Sequence, residues 1–402
     1  MASQKSDGLP FTFSLTERDR RYRQVRAEMA ASGFDALIIP CNTGHNEAYQ
    51  ADVRYLTQVG GFATEVALFF RSQGEPTCFL RGDKQRTNWW CGVQDWVQDI
   101  RPSDCAWSEG FTAVIRERGL DSARMGVVGI GGTYRSPDGL ILHGTLAHLQ
   151  KTFPQAKFLN ATEMMLDIRL LKSEEEIAAL QRATEIAEIS IKAAADAARP
   201  GQRENQVYAQ MVAAMVKEGG ELPTMILWRA GSSPTRPDRY PPQRQLAAGD
   251  VIVNEVEAKC AGYMAQVRRP IFVGKPSPEY EQLHELAVES FHLMYNRMRP
   301  GATYGYVVKA YTDLIDDWGY RASGVPLHGV GLGEDLPTVN LGKGFSSDLS
   351  GTEMKTGQAY ILGPRVTSPD GSKMLAWGDA VVITERGVKR LGKGRGEPII
   401  AG

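Results

Sequence analysis

Two regimes of hydrophobic and polar positions follow one another along this chain. In the first, Tyr22, Val25, Met29 and Ala30 recur at helical spacing, which predicts an arginine-rich amphipathic helix over 16–32 ended by Gly33. Short apolar runs at 36–39, 66–70, 77–80 and 126–130 read as buried strands, with helical stretches near 107–118 and 138–150 between them. That alternation predicts an α/β domain over 14–165, preceded by a flexible tail at 1–13. Trp89, Trp90, Trp96 and Trp107 are dense here and are expected in core packing and subunit contacts. Gly129-x-Gly131-Gly132 follows a strand but lacks the full dinucleotide fingerprint.

The second regime, 166–402, opens on a helix start. Ser173-x-x-Glu176 is a capping box, and Ile177, Leu180, Thr184, Ala187 and Ile191 line one face as far as Arg199-Pro200-Gly201. A second helix covers about 204–218. The same grammar returns one hundred residues on: a helix from about 278, Arg299-Pro300-Gly301, then a helix over 304–317. Each copy reaches a glycine-led apolar strand, 249–255 in the first and 357–363 in the second. The chain thus predicts two related halves enclosing a cleft, with Gly363 at the position equivalent to Glu255.

The chemistry gathers in the stretch 249–274. Glu255 and Glu257 stand two residues apart on one face of a strand, a Gly262-Tyr263 turn follows, and Gln266, Arg268 and Arg269 come back on the return arm. An unpaired carboxylate on the strand that begins with the apolar run Val251–Val253 would be costly, so Glu255 is expected to be functional or paired with Arg268 or Arg269. His328, in a glycine-flanked loop, is a candidate general acid or base. His45, His143, His148, His284 and His292 lack such a setting.

Composition narrows the classes. The 402 residues suit two domains, and a net charge of -1 without charge blocks argues against a nucleic-acid surface. Five scattered cysteines make neither a disulfide framework nor a Cys-x-x-Cys metal site. The first ten residues lack a signal-peptide core and no apolar run spans a bilayer, so the expectation is a soluble cytoplasmic protein with no membrane partner.

Arg169-Leu-Leu-Lys172-Ser173-x-x-Glu176-Ile177, the strand ending in Gly262-Tyr263, His328-Gly329-Val330-Gly331 and the run from Gly378-Asp379 to Glu385-x-Gly387 occur in this order. Together they resemble the creatinase/aminopeptidase P/methionine aminopeptidase (M24, pita-bread) superfamily. The resemblance covers essentially the whole chain. It implies an α/β amino-terminal domain of creatinase/prolidase type and an α+β pita-bread domain with an internal pseudo-twofold repeat. Metallopeptidases of the superfamily hold two metals with Asp, Asp, His, Glu and Glu. Those positions here are Glu255, Gln266, His328, Gly363 and Gly378, so four carboxylates fall to one. Hard or borderline dications need more than that, and no metal or other cofactor is expected.

The resemblance and its losses imply a metal-independent hydrolase of creatinase or ectoine hydrolase type. It would act on a non-peptide carbon–nitrogen bond of a small, carboxylated, nitrogenous metabolite, with Glu255 as nucleophile or base and His328 moving the proton. Candidates for holding the substrate are Asp238, Glu257, Gln266, Arg268, Arg269, Asp335 and Arg365, with Arg236 and Arg239 in the same bordering segment. Asp238 stands where creatinase has its catalytic histidine, and Asp335 where peptidases place a substrate-binding histidine. Glutamate at position 255 is similar to ectoine hydrolases. The alternatives are an Xaa-Pro metallopeptidase with an eroded metal site and a non-catalytic scaffold. The relatives also imply a homodimer.

Overall fold

The computed structural model describes residues 8–41, 43, 50–61, 64–104, 106–133, 136–234, 240–333, 335–342 and 349–402. The chain clusters into two compact units, Met1–Arg169 with Leu332–Glu334, and Leu170–Gly331 with Asp335–Gly402.

In the first unit, α1 (Leu15–Ser32) starts at Ser14, whose hydroxyl accepts the Glu17 N–H, and stops at Gly33, left-handed at φ 68°. Six strands follow: β1 (Ala36–Ile39), β2 (Val66–Arg71), β3 (Thr77–Arg81), β4 (Asp99–Ser103), β5 (Arg124–Val127) and β6 (Lys157–Asn160). They form one sheet in the order β4-β3-β2-β1-β5-β6. Helices α2 (Ala51–Thr57), α3 (Lys84–Val93), α4 (Trp107–Glu117), α5 (His143–Thr152) and α6 (Thr162–Leu170) alternate with the strands. Phe111, Val114 and Leu149 from two of these helices share a core with Ile38, Phe69, Phe79 and Met125 of the sheet. Periodicity misses β4 and β6 because both are edge strands, where Asp99, Arg101 and Pro102, or Lys157 and Asn160, are tolerated. Three of the four clustered tryptophans are buried, and only Trp89 stays half exposed. Phe13, expected in the loose tail, is buried and its carbonyl accepts the Trp96 indole N–H at 3.2 Å.

The second unit holds the repeat. Its first half comprises α7 (Glu174–Ala197), α8 (Glu204–Lys217), β7 (Ile226–Gly231), β8 (Val251–Cys260), β9 (Tyr263–Val267) and β10 (Ile271–Val273). The second half begins with α9 (Pro278–Tyr295) and α10 (Tyr304–Asp317), followed by short β11 (Arg321–Ala322), β12 (Leu327–Gly329) and β13 (Thr338–Val339). It continues with β14 (Ala359–Leu362), β15 (Arg365–Thr367), β16 (Met374–Ala376), β17 (Asp379–Thr384), β18 (Gly387–Arg390) and β19 (Ile399–Ala401). The Ser173–Glu176 capping box is formed at the start of α7. Gly201 and Gly301, the last residues of the repeated tripeptide, both adopt positive φ (86° and 80°), so the repeat reflects one shared way of leaving a helix. One sheet runs β19-β10-β8-β7 with β9 on β8, and the other runs β13-β12-β14-β17-β18. Residues of α7 and α8 form one core with the first sheet, and residues of α9 and α10 form a second core with the other.

Candidate active site

Strand β8 is buried along its whole length. Ile252, Val256 and Ala258 enter the core under α7 and α8, whereas Val251 and Val253 enter the core around α9 and α10. The period of two therefore turns Glu255 and Glu257 away from α7 and α8, toward the second half. Register brings Gln266 opposite Glu257 and Val267 opposite Val256, so one further step sets Arg268 across from Glu255. The backbone of Arg268 then exchanges two hydrogen bonds with Gly378, at 3.0 and 3.1 Å, which ties the hairpin to the segment entering β17.

This junction carries a buried ion pair. Arg268 Nη2 lies 2.6 Å from Glu255 Oε2, with the two side chains 3% and 7% exposed. Nη1 donates to the Gly363 carbonyl and, at 3.2 Å, to that of Val325. Burial by itself would raise the Glu255 carboxyl, but the Arg268 guanidinium, then His328 and Arg365, hold it below its ordinary value. Glu255 is thus an ionised carboxylate inside the protein.

His328 is buried beside it. Nδ1 lies 3.0 Å from the Gly329 carbonyl and Nε2 3.1 Å from Gln266 Oε1. Only an imidazolium donates to both oxygens. A neutral ring keeps Nδ1–H on Gly329 and accepts the Gln266 NH2 on Nε2 once that amide turns over.

The remaining expected site residues divide. Glu257, fully buried, accepts the Thr224 N–H at 3.1 Å. Arg365 is half-buried, and its charge acts on Glu255. Asp238, Arg236 and Arg239 lie outside the described residues. Arg268 and Arg269 each face a protein carboxylate. Arg268 is engaged with Glu255 and main-chain carbonyls. Arg269 turns the other way, 2.8 Å from Asp379 and 3.3 Å from Glu188, donating to the Gly378 carbonyl and lying over the Trp377 ring at 4.2 Å. Burial holds the Asp379 carboxyl up at about 6 even so. Asp335 is paired inside the protein: Lys172 Nζ lies 2.8 Å away and both side chains are buried. Lys172 and Asp379 were invisible as partners from composition, since each sits far along the chain from the group it neutralises.

A family model for metallopeptidase family M24 matches residues 178–385, and one for the creatinase/prolidase N-terminal domain matches residues 21–171. The chain belongs to metallopeptidase family M24. This M24 hydrolase is 25% identical to the Xaa-Pro dipeptidase of Pyrococcus furiosus over 261 residues, 64% of this chain and 72% of that one. It is 24% identical to the creatinase of Bacillus sp. (strain B-0618) over 413 aligned positions, 95% of this chain and 92% of that one. The X-Pro aminopeptidase of Thermotoga maritima MSB8 superimposes with a TM-score of 0.79 at 18% identity, covering 94% and 99% of the two chains. The architecture is thus a creatinase-type α/β domain followed by a pita-bread domain, as expected.

The family implies a dinuclear metal centre, and the residues at its positions do not fit one. Glu255 is the one carboxylate among the five and already faces a guanidinium. A Cβ on Gly363 would fall 2.8–3.0 Å from Nη1, Cδ and Cζ of Arg268, and one on Gly378 would fall 2.5 Å from Gly363 Cα and the Leu362 carbonyl oxygen. Gly363 has no room for a glutamate while Arg268 stays where it is, and Gly378 has none against the Leu362–Gly363 backbone. Among the described residues, no three His, Cys, Asp or Glu side chains converge to hold an ion.

Proposed function

We propose that this M24 member hydrolyses a non-peptide carbon–nitrogen bond in a small, carboxylated, nitrogenous metabolite, with side chains in place of metal ions. The observation that carries this reading is the Arg268 guanidinium, paired with Glu255 and occupying the space beside Gly363. Glu255, held ionised, takes a proton from water or attacks directly, and His328 passes a proton to the departing nitrogen. Arg365, the half-buried cation acting on Glu255, replaces Arg268 and Arg269 as the group that receives a substrate carboxylate.

A second reading has its own support. Several relatives, from Pyrococcus furiosus, Pyrococcus horikoshii and Lactobacillus delbrueckii, are named Xaa-Pro dipeptidase. On the comparisons alone an Xaa-Pro peptidase stands at least as well. One assay separates the two: chelator-treated protein offered creatine, N-acyl and ureido amino acids, and Gly-Pro, with and without Mn²⁺ or Co²⁺. The proposal expects turnover of a non-peptide substrate that is indifferent to chelator and falls by about 10²–10⁴-fold in Glu255→Gln. Gly-Pro cleavage that requires added Mn²⁺ or Co²⁺ would establish the peptidase reading instead.

A further inference from the structure

Arg268 has one donor with no task in the arrangement above. Nη2 holds Glu255, and Nη1 holds the Gly363 and Val325 carbonyls, but Nε, on a side chain 3% exposed, has no hydrogen-bond partner among the described residues. A buried unsatisfied donor costs stability and calls for an explanation. The planar guanidinium supplies one. Nε–H and the neighbouring Nη2–H leave the same edge side by side, the geometry that receives a carboxylate through both oxygens. Here that edge holds only one oxygen of Glu255, so whatever binds Nε–H is the immediate neighbour of a carboxylate oxygen. A carbonyl or carboxylate there would face Glu255 oxygen to oxygen. Water fits, because it accepts from Nε–H while donating to Glu255.

We infer that Arg268 and Glu255 jointly hold the hydrolytic water, with Arg268 as its polarising cation. The inference rests on the hydrolase reading above and assigns Arg268 to the reacting water rather than to a substrate carboxylate. As the water oxygen adds to the carbon of the C–N bond, one O–H bond breaks and its proton passes to Glu255. The electrons of the double bond at that carbon move onto its heteroatom. Collapse restores the double bond and expels the nitrogen, which takes a proton from the His328 imidazolium. The Glu255 proton then recharges His328, so one water is consumed and one C–OH and one N–H bond are made. Nη2–H holds the carboxylate in the orientation that accepts the proton.

The test is a joint neutron and X-ray structure of the full chain in D₂O, alongside Arg268→Lys. The expected result is a solvent oxygen about 2.6–3.2 Å from both Arg268 Nε and a Glu255 carboxylate oxygen, with a deuteron aimed at the carboxylate. Arg268→Lys keeps the positive charge but not the paired donors on one edge, so it should lose that solvent while still melting cooperatively. A protein acceptor on Nε–H, or a solvent molecule bonded to Nε with no deuteron toward Glu255, would overturn the assignment and leave the metal-free reading standing. Electron density for a metal ion on Glu255 and His328 after growth with Mn²⁺ would overturn both. Elemental analysis of the same sample separates that outcome from an ordered water.

Discussion

Gly363→Ala puts the central contact under the smallest possible strain. Gly363 has no positive φ, so alanine is tolerated by the backbone and the effect comes from space alone. The new Cβ would lie 2.8 Å from Arg268 Nη1, 2.9 Å from Cδ and 3.0 Å from Cζ. A flexible arginine would swing aside, but this one is pinned by Glu255 at 2.6 Å on Nη2 and by carbonyls on Nη1. If the pair survives, the cost is that of overpacking, about 1–3 kcal/mol. If the guanidinium is displaced from Glu255, a buried pair is broken at about 3–5 kcal/mol. The expected loss is about 3 kcal/mol, near the boundary of the two, which for a unit of this size lowers the melting midpoint by about 6–12 °C. Urea unfolding followed by circular dichroism reads it directly, with an unchanged m-value showing that only stability moved. Against an Arg268→Ala background the same alanine should cost less than about 0.5 kcal/mol, because the atoms it meets are gone. If Gly363→Ala alone costs under about 1 kcal/mol, the guanidinium is free to move and cannot be what closes this position.

Other expectations are tested independently. Because Arg268, His328 and Arg365 outweigh burial and leave the folded-state pKa of Glu255 below 4.5, its ionised form adds stability above that pH and loses it as pH falls through the folded value. The stability gap between parent and Glu255→Gln should therefore be constant from pH 7 to 5 and shrink in stronger acid; a gap unchanged down to pH 3 would contradict the pairing. Asp335→Ala strands Lys172 in the interior and should cost about 3–5 kcal/mol, a loss that Asp335→Ala with Lys172→Met recovers in part; a cost under about 1 kcal/mol would place that lysine in water. We also propose a homodimer, with Trp89 as the one tryptophan of its cluster left half exposed for contact. Light scattering should give twice 44.2 kDa, and a monomer at micromolar concentration would refute it.

What could be read along the chain was local. The Ser173–Glu176 box, the helix exits at Gly201 and Gly301 and the alternation that turns Glu255 and Glu257 to one face all depend on residues within a few positions of each other. Such features are decided by backbone dihedrals and by a period of two or 3.6, which the order of residues displays. The doubling of that grammar over one hundred residues made the two halves legible as well. The choice between Arg268 and Arg269 was not. Both follow the last residue of β9, and which one meets Glu255 depends on the bridge between Arg268 and Gly378, 110 residues further along. Asp335 next to Lys172 and Asp379 next to Arg269 are likewise pairs of distant residues, 163 and 110 positions apart. Loss of the two glutamates could be seen as two glycines. That a guanidinium fills the space beside Gly363, and backbone the space beside Gly378, could not, because a side chain's place in a cleft is set by strands meeting across the sheet junction, and no local period encodes which strands meet.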